Sequence, residues 1–290
     1  MLRENVFNRT IELVSEHYVF PDVAQSVVER LRSQRDVYAA VKTDHQFTAA
    51  LTRDMFDVSK DVHLTLTVKQ KSPRPEDTPP VAASRFLADG INIIAISRFP
   101  SVHAQNGEMA IHEIDQAFLL AERARGLIID VRKNFGGDGT SVALATSYLL
   151  PSEPLRLLAI YRYRGNIPSS ESWTWKKLPH EVNGAYRPLA DKPICVLVSK
   201  DTFSAAEEFA YNLQQMRRAT IIGERTRGGA HPSKRHLIDG MFLLSLPFAE
   251  TINPISMGNW EGMGIIPDLE CPRKDAVKVA MGFLAKGAGI

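Results

Sequence analysis

Two stretches in the second half of the chain dictate what its core can be. Residues 126 to 150, "GLIIDVRKNFGGDGTSVALATSYLL", and 192 to 213, "KPICVLVSKDTFSAAEEFAYNL", each run an apolar strand pattern into a polar or glycine-rich bend and then straight into a helical pattern. An apolar run without polar alternation reads as a strand covered on both faces, and helices recurring after such strands supply the cover. "ATIIGE", "MFLLSLPFAE" and a final helix from about residue 273 continue the alternation. Strands and helices arranged this way predict an α/β core with repeated ββα units.

Upstream the period is different. Phe7, Ile11, Val14 and Tyr18 recur at helical spacing, Val23, Val27, Val28 and Leu31 mark a second helix beyond the break at Pro21, and Phe47, Leu51 and Met55 a third, with Asp44 as its N-cap. These stripes predict a small N-terminal three-helix subdomain over residues 1–60, with the core over 61–290. At "HLTLTVKQ", residues 63 to 70, Leu64, Leu66 and Val68 alternate with polar residues as in a half-buried strand. The proline-rich "KSPRPEDTPP" reads as a loop, and Asp89-Gly90 as a hairpin turn between two strands. A helix near 106 to 124 follows; further on come strand-like "LRLLAIYRYRG" and a loop bearing Trp173 and Trp175.

Composition narrows the function. A chain of 290 residues with 44% hydrophobic content has ample material for a large core. Its 35 Lys and Arg against 33 Asp and Glu give a net charge of +2, which supplies no general pull toward nucleic acid or an acidic membrane. Cys195 and Cys271 are too few and too isolated for a disulfide framework or a structural zinc site, and Cys195, inside "ICVLV", reads as a core residue. No cluster has metal-ligand spacing, so neither metal nor organic cofactor is expected. The N-terminus lacks the apolar segment of a secretory signal and no run is long enough to span a bilayer, so the chain reads as cytoplasmic.

The chemistry concentrates at Ser204. Ser204 and Glu207 have the Ser-x-x-Glu spacing of a capping box, which alone explains the serine. The same corner also exposes a hydroxyl at a helix N-terminus, where free amides and a partial positive charge suit an oxyanion. Gly136 and Gly137, just past a buried strand, let backbone amides approach a substrate, and with the amide of Ala205 they form a candidate oxyanion hole. Their pattern is neither a dinucleotide fingerprint nor a P-loop. A serine nucleophile needs a base. His63 sits where a helix gives way to a strand, with His231 and His236 as competitors; Glu261, on a glycine-flanked loop beside Trp260, is the candidate acid.

At these residues the chain resembles the tail-specific (C-terminal processing) serine peptidase family. "INIIAISRF", "LIIDVRKNFGG", "VLVSKDTFSAAEEFA", "TIIGERTRGGAHP" and "WEGMGIIPDLE" stand in the family's order, and the likeness is greatest to the branch of the tricorn protease core and the modules of interphotoreceptor retinoid-binding protein. The resemblance implies a helical cap on a crotonase-like ββα superhelix, Ser204 as nucleophile, His63 as general base, Glu261 as the acid, and amides of Gly136 or Gly137 and of Ala205 as the oxyanion hole. Two positions depart from it. Gly229 stands where the processing branch has the lysine of a Ser-Lys dyad, and Val62 where the tricorn branch has a bridging serine, which leaves Glu261, Asp61 or another carboxylate to orient His63. The proline-rich loop leaves no room for the family's PDZ domain. The expected activity is therefore that of a serine hydrolase, a peptidase acting in proteolysis on short peptides or small ester or amide substrates. The alternatives are a non-catalytic module for apolar ligands, to which Trp173, Trp175 and Trp260 would contribute, and a biosynthetic acyltransferase or cyclase.

Overall fold

A computed structural model describes residues 2–69, 79–105, 107–165, 167–180 and 189–287. The chain forms two compact units, one of residues 1–75, 161–170 and 231–252, the other of 76–160, 171–230 and 253–290. The helical N-terminus thus belongs to a unit that extends beyond residue 60 and takes in strands from the C-terminal half.

In the first unit the helices are α1 (Leu2–His17), α2 (Pro21–Ser33), α3 (Arg35–Ala40) and α4 (Asp44–Ser59). The three predicted helices are present, and the six-residue α3 is an addition too short to show a period. Pro21 opens α2 at its first turn, where the missing N–H costs nothing. Asp44 is the first residue of α4 and Thr43 the cap: Thr43 Oγ1 accepts from Gln46 N at 3.2 Å, and Gln46 Oε1 accepts from Thr43 N at 3.2 Å. The strands are β1 (Thr65–Val68), β9 (Ser233–Ile238) and β10 (Phe242–Pro247), an antiparallel sheet of order β1-β10-β9. Strand β9 falls in a segment that reads as loop in the sequence, because its charged residues hide the alternation; pairing with β10 places His236 opposite Leu244. One core joins Phe7, Val14, Leu31, Phe47, Leu51 and Met55 of the helices to Leu66, Phe242 and Leu244 of the sheet.

The second unit is built on a six-stranded sheet. In chain order its elements are β2 (Ala82–Phe86), β3 (Ile91–Ile96), α5 (Gly107–Leu120), β4 (Gly126–Asp130), α6 (Gly139–Tyr148), β5 (Leu157–Tyr163), which runs on into the first unit, β6 (Ser170–Trp173), β7 (Ile194–Val198), α7 (Ala205–Gln215) and β8 (Thr220–Gly223). After β11 (Ala249–Ile252) come β12 (Leu269–Glu270) and α8 (Ala276–Gly287). The strand order is β12-β8-β7-β4-β3-β2, with β2 antiparallel to β3 through the predicted turn and every other pair parallel. Asp89 and Gly90 make that turn with φ of 58° and 70°. The proline-rich loop lies mostly outside the described residues.

The period of two divides each strand between two layers. Leu127 and Ile129 of β4 and Ile194, Val196 and Val198 of β7 face α5, α6 and α7; Ile128, Cys195 and Leu197 face Ala276, Ala280 and Leu284 of α8. Burial pushes the Cys195 thiol up to about 12, which keeps it a protonated core group. Among the described residues no helix is long and apolar enough to cross a membrane.

Candidate active site

Two turns at the C-terminal ends of β4 and β7 are tied to each other. Ser199 Oγ donates to Arg132 O at 2.6 Å, Thr202 Oγ1 donates to Val131 O at 2.9 Å, and Phe203 N donates to Asn134 O at 3.1 Å. Asn134 is fully buried; its Nδ2 donates to Ile96 O at 3.1 Å and its Oδ1 accepts from Gly136 N at 2.8 Å. The turn bearing the glycines is thereby fixed against the turn bearing the serine.

Ser204 lies at the end of the second turn with φ 55° and ψ −123°. This backbone region is nearly reserved for glycine, and holding a side chain in it costs about 1–3 kcal/mol. Beyond Val198 at the end of β7 and immediately before Ala205, the first residue of α7, this strained serine is a candidate nucleophile. Gly136, φ 96°, packs against it so closely that a Cβ there would lie 2.7 Å from Ser204 Cβ and 2.9 Å from Ala205 N. The Gly136 amide is committed to Asn134, whereas among the described residues the amides of Gly137 and Ala205 have no hydrogen-bond acceptor.

What holds the strained corner is Glu207. Its fully buried carboxylate accepts from Ser204 N (2.9 Å) and Gly229 N (2.9 Å) on Oε2, and from Thr226 Oγ1 (2.5 Å) and Gly228 N (2.6 Å) on Oε1. Burial raises this carboxyl above the ordinary glutamate range, and the donors from Thr226, Gly229, Gly228 and Ser204 pull it back. We read it as ionised, since a protonated carboxyl would turn one O–H toward donors that need an acceptor. The capping-box spacing is thus real, but Glu207 reaches beyond its helix to organise the loop of 226–229.

That loop is fastened in turn to the one carrying Glu261. Trp260 Nε1 donates to Gly229 O at 2.8 Å, Gly262 N to Gly228 O at 2.9 Å, Ile265 N to Thr226 Oγ1 at 2.7 Å, and Ala230 N to Glu261 Oε2 at 2.5 Å. Trp260 is 2% exposed and tilts against Tyr211, so it serves the core of this unit. Ser204, Ala205, Gly136 and Glu261 all belong to the second unit, joined through Glu207 and the loop of 226–230.

His63 and His231 belong to the first unit. His63 is 8% exposed, and its backbone N–H donates to Asp61 Oδ1 at 2.9 Å. Asp61 Oδ2 meets His231 Nδ1 at 2.8 Å and accepts from Tyr18 Oη at 3.1 Å, while the Phe20 ring stands edge-on to His231. Asp61, a candidate partner for His63, thus anchors the ring of His231. The sequence carries no local signal for this pairing, because 170 residues separate the partners. Asn134 is equally silent in the sequence; beside its local bond from Gly136 N, its role comes from two bonds to the distant backbone groups of Ile96 and Phe203. His236 lies on β9 with its ring stacked on His17.

The model of peptidase family S41 matches residues 90–271, and that for the N-terminal domain of S41 peptidases in eukaryotic IRBP matches residues 3–91. The chain belongs to peptidase family S41. A carboxyl-terminal-processing protease of Synechocystis sp. is 29% identical over 155 residues, 53% of this chain; the chain spans 30% of that relative's length. Among solved structures, a lipoprotein from Streptococcus agalactiae superposes with a TM-score of 0.65 at 17% identity, covering 99% of this chain and 97% of that one. The photosystem II D1 C-terminal processing protease gives 0.58 at 13%, covering 94% of each chain. The tricorn protease gives 0.63 at 15%, covering 98% of this chain and 37% of that one. These likenesses bear out the fold expected from the motifs, that of S41 peptidases.

Proposed function

We propose that this S41 member is a serine peptidase that acts by acyl transfer through Ser204 on short peptides or small ester or amide substrates. The observation that carries the reading is the strained Ser204 corner, pressed against Gly136 and held by a buried carboxylate, with the Ala205 amide open beside it. Strain maintained by four hydrogen bonds to Glu207 has no purpose in a helix cap, for which an unstrained serine suffices.

In the proposed cycle His63 takes the Ser204 hydroxyl proton as Oγ attacks the substrate carbonyl carbon. The carbonyl oxygen becomes an oxyanion and receives the N–H groups of Ala205 and of the glycine turn. Of the two glycines, Gly137 is the better supported donor, because Asn134 already occupies the Gly136 amide. The tetrahedral intermediate collapses as the His63 imidazolium gives its proton to the leaving amine or alcohol. Water, deprotonated by His63, then attacks the acyl-serine and releases the acid. Each oxyanion donor is worth about 3 kcal/mol by comparison with deletions in other serine hydrolases. Glu261 is assigned as the acid on its motif and on its bond to Ala230 N, which fixes the carboxylate in the loop. Asp61 is already spoken for by the His231 ring and Tyr18, which weakens its claim to that role.

A fluorophosphonate reagent tests the proposal, with the adduct located by peptide mass spectrometry. An adduct on Ser204 that is lost in Ser204→Ala and slowed at least a hundredfold in His63→Ala is expected. A folded protein that takes no adduct would instead be a binding module for apolar ligands, the second reading, which the IRBP-type match over residues 3–91 favours.

A further inference from the structure

A cleft of about 1280 Å³ opens outside the C-terminal ends of the parallel strands in the second unit. Ile96 ends β3 at its wall, Asp130 ends β4, Glu224 follows β8 and Pro272 follows β12. Crevices outside the carboxyl ends of parallel strands are where open α/β sheets commonly bind ligands. Its position relative to the serine is fixed by the chain: Phe135 lines it, and Phe135 precedes Gly136, whose backbone lies against Ser204.

Three features of the cleft converge on one kind of occupant. The first is charge. Both oxygens of Asp130 are taken by Arg132, at 2.8 and 2.6 Å, Asp201 pairs with Arg273 at 2.5 Å, and Glu224 accepts the backbone amides of Arg273 at 3.3 Å and Lys200 at 3.5 Å. Two of the three carboxylates of the cleft are therefore paired with arginines and Glu224 keeps its charge, while Lys133 and Lys274, both exposed, have no carboxylate partner among the described residues and outweigh it by one. The charge left to meet a ligand is positive. The second is an apolar wall, made by Pro79, Pro80, Pro272 and a Phe135 that is 64% exposed. The third is the sheet itself: Ala83 of β2, the end strand of the six-stranded sheet, and its cross-strand partner Ala95 of β3 both line the cleft. An end strand offers unpaired backbone groups to an extended chain, with side-chain pockets adding selectivity.

We infer that this cleft is a substrate-recognition subsite for an extended peptide that combines apolar and acidic side chains, the acidic ones drawn to Lys133 and Lys274. This rests on the peptidase reading above and adds the substrate class to it. An apolar wall alone would accept many ligands; the two lysines select against basic peptides, since like charges across a contact disfavour the wrong partner.

The test uses the full chain carrying Ser204→Ala, so that binding is read without turnover. Fluorescence anisotropy compares a fluorescein-labelled octapeptide alternating leucine and glutamate with its counterpart carrying glutamine for glutamate, at low ionic strength. The glutamate peptide is expected to bind at least about ten-fold tighter, with the preference falling below about two-fold in K133E/K274E and surviving in a K42E/K278E control of equal net charge. Thermal melts verify that all variants fold. Equal binding of the two peptides, binding of neither, or a preference that outlasts the K133E/K274E reversal overturns the inference. Fluorophosphonate labelling of the wild-type chain separates the two readings: an adduct without the preference leaves the peptidase and removes the subsite, and a preference without an adduct removes the peptidase and with it the substrate role, leaving a peptide-binding cleft.

Discussion

Glu207 accepts the backbone N–H of Ser204 at 2.9 Å while its other oxygen accepts that of Gly228 at 2.6 Å. One buried carboxylate therefore sets both the position of the candidate nucleophile and the shape of the loop of 226–229.

Glu207→Gln removes a buried charge yet is expected to destabilise the chain. Each carboxylate oxygen faces two donors, and a glutamine amide would turn an NH2 group toward one of those pairs. Leaving buried donors unsatisfied predicts a loss of about 3 kcal/mol in urea unfolding, together with a slower fluorophosphonate reaction at Ser204.

Replacing Ser204 by glycine and by alanine separates strain from chemistry. Both variants lose the nucleophile and should lose turnover. With φ at 55°, however, only glycine relieves the backbone, so Ser204→Gly is expected to be more stable than Ser204→Ala by about 1 kcal/mol. A lower melting temperature for the glycine variant would remove the strain from the argument.

At Gly136 a single methyl group tests the approach of the two turns. Gly136→Ala would set a Cβ 2.7 Å from Phe203 O and from Ser204 Cβ, at a φ of 96° that alanine resists. A displacement of the serine corner is expected to cost about a hundredfold in the rate of adduct formation. Circular dichroism would check that the fold persists.

His236 gives an acid-side prediction. Its imidazole is held below the ordinary histidine value, first by burial and then by the charges of Lys234, His17 and Arg9. The unfolded chain thus takes up this proton at a higher pH than the folded chain. Stability present above the unfolded value of about 6.5 is lost as pH falls through the lowered folded value. The urea midpoint of His236→Gln should accordingly decline less than that of the wild type between neutral pH and about pH 5; parallel declines would assign the acid sensitivity elsewhere.

Local pattern made much of this molecule legible. Periodicity placed α1, α2, α4 and α7, the all-apolar runs placed β4 and β7, and Asp89-Gly90 placed the turn between β2 and β3. Ser204 was visible because capping and nucleophilic exposure require the same corner. What the sequence hid is nonlocal or masked by charge. Strand β9 reads as loop until β10 lies beside it, Asn134 matters through Ile96 and Phe203, and Asp61 finds His231 across most of the chain. Spacing also said nothing of which glycine amide Asn134 occupies, since that bond exists only in the folded turn.

The four donors gathered by Glu207 also give the site a dynamic signature. Backbone amides of Ser204, Gly228 and Gly229 come from two separate turns, yet none can reach water without releasing the same carboxylate. In hydrogen–deuterium exchange they should open as one cooperative unit, with similar protection factors that fall together when Glu207 is replaced.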